Sequence, residues 1–256
     1  MSDAQQNHFE SFTDRYYNAR QKPNHLFYKE LLWKYFFNEI SKLCNFNGCI
    51  DVCEPMCGYA EGKTIIEKYF YAPINYEGFD ISDNLLEKAR KKNIGINIYK
   101  ADVRTYIPSK KYDVIIIIGA LHHVFKDVNS ILFNIRRAIK ENGIFINFEP
   151  TNNFYFIGKI RNIIYRYNSF FDYQTEKGFN LSYLNSAYKK SGFSILKQIY
   201  TGLLSYIMFY NPDAFPWLDL GGKTLVKSFF NLDKLFIKNK IGKLFSFATL
   251  TALKPL

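Results

Sequence analysis

Apolar residues in the first 150 positions follow two alternating rhythms. The runs Ile50 to Cys53, Asn75 to Phe79, Ile94 to Tyr99 and Tyr112 to Ile118 are short, apolar-rich and bounded by acids or turn residues, and they read as strands. Between them, Glu61–Tyr71, Asp83–Lys92 and Asp127–Glu141 carry apolar residues at helical spacing. Ser82 or Asp83 supplies the cap of the second helix, Asn142-Gly143 closes the third, and Ile144–Phe148 follows as a fifth strand. Such alternation predicts a doubly wound α/β fold with a mostly parallel sheet. The run Tyr112 to Ile118 is apolar almost throughout, as a strand covered on both faces must be. An N-terminal helical region, Phe9 to Leu43, precedes the sheet. Phe193–Tyr200 and Phe245–Leu253 read as a final pair with an antiparallel terminal strand. The chain divides into a helical cap, 1–45, and a main domain, 46–256, with additions at about 152–178 and 201–243.

The ends of these strands carry chemistry. Ile50-Asp51-Val52-Cys53-Glu54-Pro55-Met56-Cys57-Gly58-Tyr59-Ala60-Glu61-Gly62 is a strand, an acid, a small-residue turn and a helix start. Asp80 ends the second strand, and Asp102 with Val103 follows the third. This is the layout of a nucleotide-type site at the carboxyl edge of a parallel sheet. It is not a pyrophosphate fingerprint: Met56 and Ala60 stand where glycines belong, and Glu54 would repel phosphate. An acid there suits a cationic ligand, such as the amino group of a methionine-like moiety. The alternative is an ordinary strand–turn–helix with an incidental acid.

The ordered series Glu54, Asp80, Asp102 and a fourth strand ending in Leu121-His122-His123-Val124 resembles the Rossmann-like S-adenosylmethionine-dependent methyltransferases. The resemblance is good over residues 46 to 150. It implies that Glu54 and the backbone of Met56, Cys57 and Gly58 hold the methionine part. Asp80 would bind the ribose hydroxyls, with Ile81 beside the adenine. Asp102 and Val103 would meet the adenine edge, and Gly119, Ala120 and Leu121 would floor the sulfonium. The broken Gly-x-Gly-x-Gly pattern at Met56 and Ala60 leaves the backbone path there open, while Gly58 keeps the close approach. His123 is the expected catalytic base, since an imidazole titrates near neutral pH. In phosphoethanolamine methyltransferases the matching histidine pairs with an N-terminal tyrosine, a role open here to Tyr16 or Tyr17. His122 should point away from His123. Packing and structural hydrogen bonding are the alternative roles for these four residues.

Composition narrows the partners. The formal charge of +11 admits nucleic acid, an anionic metabolite or a lipid head group. An RNA methyltransferase is the second reading, but the fourth strand lacks the Asn-Pro-Pro-Tyr type motif of amino-methylating nucleic-acid enzymes, and no RNA-binding module is recognisable. The non-enzymatic rival is a membrane-associated binding protein that keeps the fold as a scaffold. The expected acceptor is a small anionic or sugar-linked molecule, as in bacterial capsule and surface-glycan tailoring, methylated on oxygen or nitrogen. The resemblance implies S-adenosylmethionine as the cofactor and S-adenosylhomocysteine as its product. Met1 to His8 is polar, and no apolar run approaches the ~18 residues of a spanning helix, so a cytoplasmic protein is expected. Cys44, Cys49, Cys53 and Cys57 lie close in sequence, but Cys49 and Cys53 bracket a strand and would stand ~13 Å apart, too far to share a metal. They are expected to be reduced thiols, with no metal site. The additions at 152–178, aromatic and basic, and at 201–243, with a Pro-rich loop and a basic apolar helix near Lys223–Lys243, are expected above the strand ends. They read as a lid and acceptor pocket, as helices covering the core, or as a membrane-surface contact. The oligomeric state is left open.

Overall fold

A computed structural model describes residues 14, 17–44, 46, 48–155, 158–159, 163, 166, 178–212 and 215–256. Tyr16 and most of the 152–178 addition lie outside the described residues. Seven strands, β1 (Ile50–Pro55), β2 (Ile74–Asp80), β3 (Ile98–Lys100), β4 (Tyr112–Ile118), β5 (Ile139–Pro150), β6 (Phe193–Tyr200) and β7 (Ala248–Pro255), form one sheet in the order β3-β2-β1-β4-β5-β7-β6. The first five are parallel, and β7 runs antiparallel to both β5 and β6. This is the expected Rossmann-like doubly wound sheet with its antiparallel strand near one edge. The order reverses between β1 and β4, which opens a crevice at the carboxyl ends of those strands.

Strand β4 shows why its sequence is apolar throughout. Val114 and Ile116 face one core, and Ile115 and Ile117 face the other. The first core is covered by α1 (Pro23–Ile40), α2 (Glu61–Phe70), α3 (Asp83–Lys92), α6 (Leu204–Phe209) and α7 (Lys223–Asp233). The second is covered by α4 (Val128–Ala138) and α5 (Leu181–Lys190). Trp33, Phe36 and Phe37 of α1 are buried, and each such side chain contributes ~1.5–3 kcal/mol by leaving water.

The N-terminal helix and the 201–243 addition form one layer. His25 Nδ1 lies 3.1 Å from the Phe209 carbonyl, Arg20 donates to the Tyr210 carbonyl, and Asn24 donates to Asp219 at 2.9 Å. The basic apolar stretch is two helices, α7 and α8 (Lys240–Phe245), with a turn between them. Helix α8 meets the carboxyl edge of the sheet: Asn153, just past β5, donates to the Lys243 carbonyl at 2.8 Å, and the rings of Phe154 and Phe245 lie 5.4 Å apart.

Several boundaries differ from the sequence reading. The helix expected to reach Glu141 ends at Ala138, and β5 begins at Ile139. Between the pairs Tyr112–Ile139 and Val114–Ile144 the register slips, and the bulged segment carries Lys140 into a pair with Asp51 and Asp113 at 3.1 and 2.8 Å. Strand β3 starts at Ile98, and Ile94 is fully exposed because no neighbouring strand reaches it. Phe245 ends α8, and β7 starts three residues later.

Candidate active site

The loop after β1 keeps the backbone of a glycine-rich turn without its glycines. Met56, Gly58 and Ala60 all adopt left-handed φ, at 55, 52 and 60°. For Met56 and Ala60 this costs ~1–2 kcal/mol each. Ala60 is buried and Met56 packs against the second core, so tertiary contacts hold the path.

Glu54 ends beneath this loop, and its partners account for the turn. Its Oε1 accepts from Gly62 N at 2.8 Å, and its Oε2 accepts from Lys63 N at 3.3 Å and from the Tyr76 hydroxyl at 2.6 Å. The carboxylate therefore caps α2, whose own cap residue, Ala60, offers no side-chain acceptor. Gly62 permits the approach: a Cβ there would lie 2.7 Å from the Glu54 carboxyl carbon and from Ile116. Burial pushes the Glu54 carboxyl up to about 7, against the pull of these donors. Lys29 of α1 pairs with Glu61 at the start of the same helix.

Asp80 closes the next strand. Its Oδ2 accepts from Gly58 N and its Oδ1 from Ser82 N, both at 2.9 Å. The side chain is buried, which raises its carboxyl above the usual value while these backbone donors oppose the rise. Ile81 beside it is half-buried. Asp102 is held by Arg104, whose guanidinium keeps its carboxyl below the ordinary range. Val103 is buried in the core with Phe79. Cys53 and Cys57 are buried, and burial raises both thiols. Among the described residues, no group of His, Cys, Asp and Glu is placed to hold a metal ion.

The end of β4 is organised by a residue that the sequence reading passed over. Glu149, buried near the end of β5, accepts from the backbone N–H of Ala120, Leu121 and His122 at 3.1, 2.9 and 3.2 Å. The Asn147 amide donates to it at 3.1 Å, and Asn147 accepts in turn from the Tyr188 hydroxyl. His122 Nδ1 lies 2.9 Å from Glu149 Oε2. The expected opposite orientation of the two histidines is wrong. They sit in a 3-10 helix, Leu121–Asp127, and their ring centroids are 3.9 Å apart. Glu149 draws His122 inward, and His123 packs over it, half-buried. A lone acid at the end of an apolar strand was the available signal. Tyr17 sits over the β1 loop, edge-on to Tyr59 at 5.5 Å and under the Lys88 ammonium at 4.9 Å.

Residues 57–145, from the β1 loop into β5, match the model of a family described as a methyltransferase domain. The chain carries a methyltransferase domain. No curated protein sequence matches the chain. Among solved structures, the methyltransferase is similar to magnesium protoporphyrin IX methyltransferase from Synechocystis PCC 6803 with bound S-adenosylhomocysteine. The two share 11% identity over 100% of both chains, with a TM-score of 0.63. A cyclopropane synthase from Mycobacterium tuberculosis is 12% identical over 86% of this chain and 82% of its own, with a TM-score of 0.57. The YcgJ protein from Bacillus subtilis is 15% identical over 87% and 98%, with a TM-score of 0.56. At these identities the likeness concerns the fold.

S-adenosylmethionine is the cofactor of the methyltransferase domain. The site fits it. Two buried carboxylates with remaining acceptor capacity, Glu54 and Asp80, stand at adjacent strand ends. A Cβ placed on Gly119 would meet nothing within 4 Å, so the end of β4 offers open space beside them. The groove lined by Lys111, Arg136, Arg137 and Lys190 lies at the opposite end of the sheet, where β4 begins, and is not this site.

Proposed function

We propose that the protein methylates an oxygen or nitrogen of a small anionic or sugar-linked acceptor, with His123 as the base. The observation that carries this reading is the placement of His123. Its ring packs on His122, which Glu149 anchors, at the end of the strand bordering the open space beside Gly119. S-adenosylmethionine, when bound, supplies an electrophilic methyl group.

The chain's own residues do the rest. Glu54 Oε1 carries one described hydrogen bond, to Gly62, and takes the methionine ammonium directly or through water. Asp80 receives the ribose hydroxyls beside Ile81. Asp102 and Val103 border the adenine, with Arg104 fixing the Asp102 carboxylate. Met56, Cys57 and Gly58 present backbone to the methionine part, and Gly119, Ala120 and Leu121 floor the reacting centre. His123 takes the proton from the acceptor as the new bond forms. Most of the rate comes from alignment, so a rigid floor matters, and Glu149 supplies it through three backbone donors. The net charge of +11 favours an anionic acceptor. A glycan-tailoring role rests on the resemblance of the His-His strand end and the long C-terminal additions.

The test is release of S-adenosylhomocysteine with a panel of phosphorylated and nucleotide-linked sugars. His123→Ala is expected to lose ~10²–10⁴ in turnover while binding S-adenosylhomocysteine normally. Near-normal turnover in the variant would remove His123 from the chemistry.

A further inference from the structure

The last two helices expose an apolar and basic surface that holds none of the residues assigned to methyl transfer. From Leu220 to Phe245 the chain holds six lysines, at 223, 227, 234, 238, 240 and 243, and one acid, Asp233. Asp233 is buried, where it accepts from the backbone N–H of Leu204 and Ser205 and caps α6, so it faces no partner. Of the lysines, Lys238 is held by Glu39 at 2.7 Å, and the other five leave the surface strongly positive. Between them, Leu225, Leu232, Leu235, Phe236, Ile241 and Leu244 are each 37–67% exposed. Val226, Phe230, Asp233 and Ile237 of this segment are buried, and Phe229 packs partly buried against the first core, edge-on to Phe209 at 6.1 Å. That inner stripe serves the core, whereas the outer apolar residues carry an exposure penalty in the monomer.

We infer that α7, α8 and the turn between them dock on the surface of an anionic lipid bilayer. Exposed aliphatic side chains interleaved with lysines are the signature of a helix lying in the membrane interface: the apolar groups enter the acyl boundary and the lysines meet the head groups. The alternatives fit worse. Nucleic acid would use the lysines but would leave the leucines in water. A second copy would bring two chains of charge +11 together through lysine-rich faces. No described helix is long and apolar enough to cross a membrane, so the contact is peripheral.

The position of the surface gives it a use. Helix α8 is tied to the carboxyl edge of the sheet by the Asn153–Lys243 hydrogen bond and the Phe154–Phe245 contact. Docking therefore brings the edge that holds Asp80, Gly119 and His123 to the bilayer. The consequence that the acceptor is presented there, on a lipid carrier, rests on the methyl-transfer reading; the docking itself does not.

The experiment is sedimentation of the full chain with vesicles of phosphatidylcholine alone or mixed with phosphatidylglycerol, at low and high salt. The expected result is binding to the mixed vesicles, at least about tenfold weaker on phosphatidylcholine and weakened by salt. The variant pairs Leu235→Ser with Ile241→Ser, and Lys240→Gln with Lys243→Gln, should each lose about tenfold or more. Both should keep the wild-type circular dichroism spectrum and affinity for S-adenosylhomocysteine. No binding to anionic vesicles, unchanged binding by both variants, or light scattering that shows the surface buried in a dimer would overturn the inference. Loss of S-adenosylhomocysteine binding in the wild type would count against the methyltransferase site and leave the docking result to be read separately.

Discussion

His122 Nδ1 lies 2.9 Å from a Glu149 oxygen that also accepts from the His122 amide, so one buried carboxylate fixes both the ring and the backbone under His123. The two residues are 27 positions apart in sequence, and the packing of β5 against β4 brings them together. Glu149 touches neither the proposed acceptor nor the reacting atoms, and acts by position. Glu149→Gln keeps the size of the side chain but turns one acceptor into a donor facing backbone N–H groups. Turnover is expected to fall about tenfold to hundredfold through misplacement of the floor, with KM for S-adenosylmethionine nearly unchanged. A variant that loses cofactor affinity and turnover together would instead mark Glu149 as part of the fold only.

The Glu54 carboxyl, raised by burial from 4.5 to about 7, makes stability depend on pH. A carboxyl raised in the folded state holds its proton more tightly there than in the unfolded chain. Its contribution is complete below pH 4.5 and is lost as pH rises through about 7. Other buried groups, His25 among them, titrate against this trend, so the difference between two proteins is the clean observable. Glu54→Gln removes the titration, and the amide can still accept from Gly62 N. The stability deficit of the variant is expected to narrow as pH rises from about 5 to about 8 in thermal unfolding scans. A deficit that widens over that interval would mean a carboxylate held ionised by its three donors.

Gly62→Ala opposes local propensity to tertiary fit. Alanine favours an exposed helix by ~1 kcal/mol over glycine. Here the new methyl would lie 2.7 Å from Glu54 and Ile116, and it would push the carboxylate off the helix start. Destabilisation of about 1–3 kcal/mol is expected, with loss of cofactor affinity. Denaturant unfolding measures it, and an unchanged or higher midpoint would show that Glu54 does not need this approach.

Much of the fold was legible because strand ends and helix starts are written locally. The acids at 54, 80 and 102 close strand ends or follow them directly, and Val114 to Ile117 could only be a strand covered on both sides. What stayed hidden depends on contacts distant in sequence. Lys140 belongs to a strand bulge because Asp51 and Asp113 attract it, and neither is a helical neighbour. Ile94 is apolar like a strand residue but lies before the point where β3 meets β2. The residue types at Met56 and Ala60 disfavour the left-handed conformation, and only their places in the broken glycine pattern pointed to it. The orientation of His122 required Glu149, and Glu149 acquires its role only once β5 lies beside β4.

Calorimetric titration of S-adenosylhomocysteine into the wild-type protein and Asp80→Ala tests most directly whether the carboxylates at the sheet edge hold the nucleoside. Wild type is expected to bind one equivalent, and the variant, folded by circular dichroism, about 10- to 100-fold more weakly for loss of charge-assisted hydrogen bonds. Equal affinities in the two proteins, or no binding by folded wild type at millimolar ligand, would contradict it.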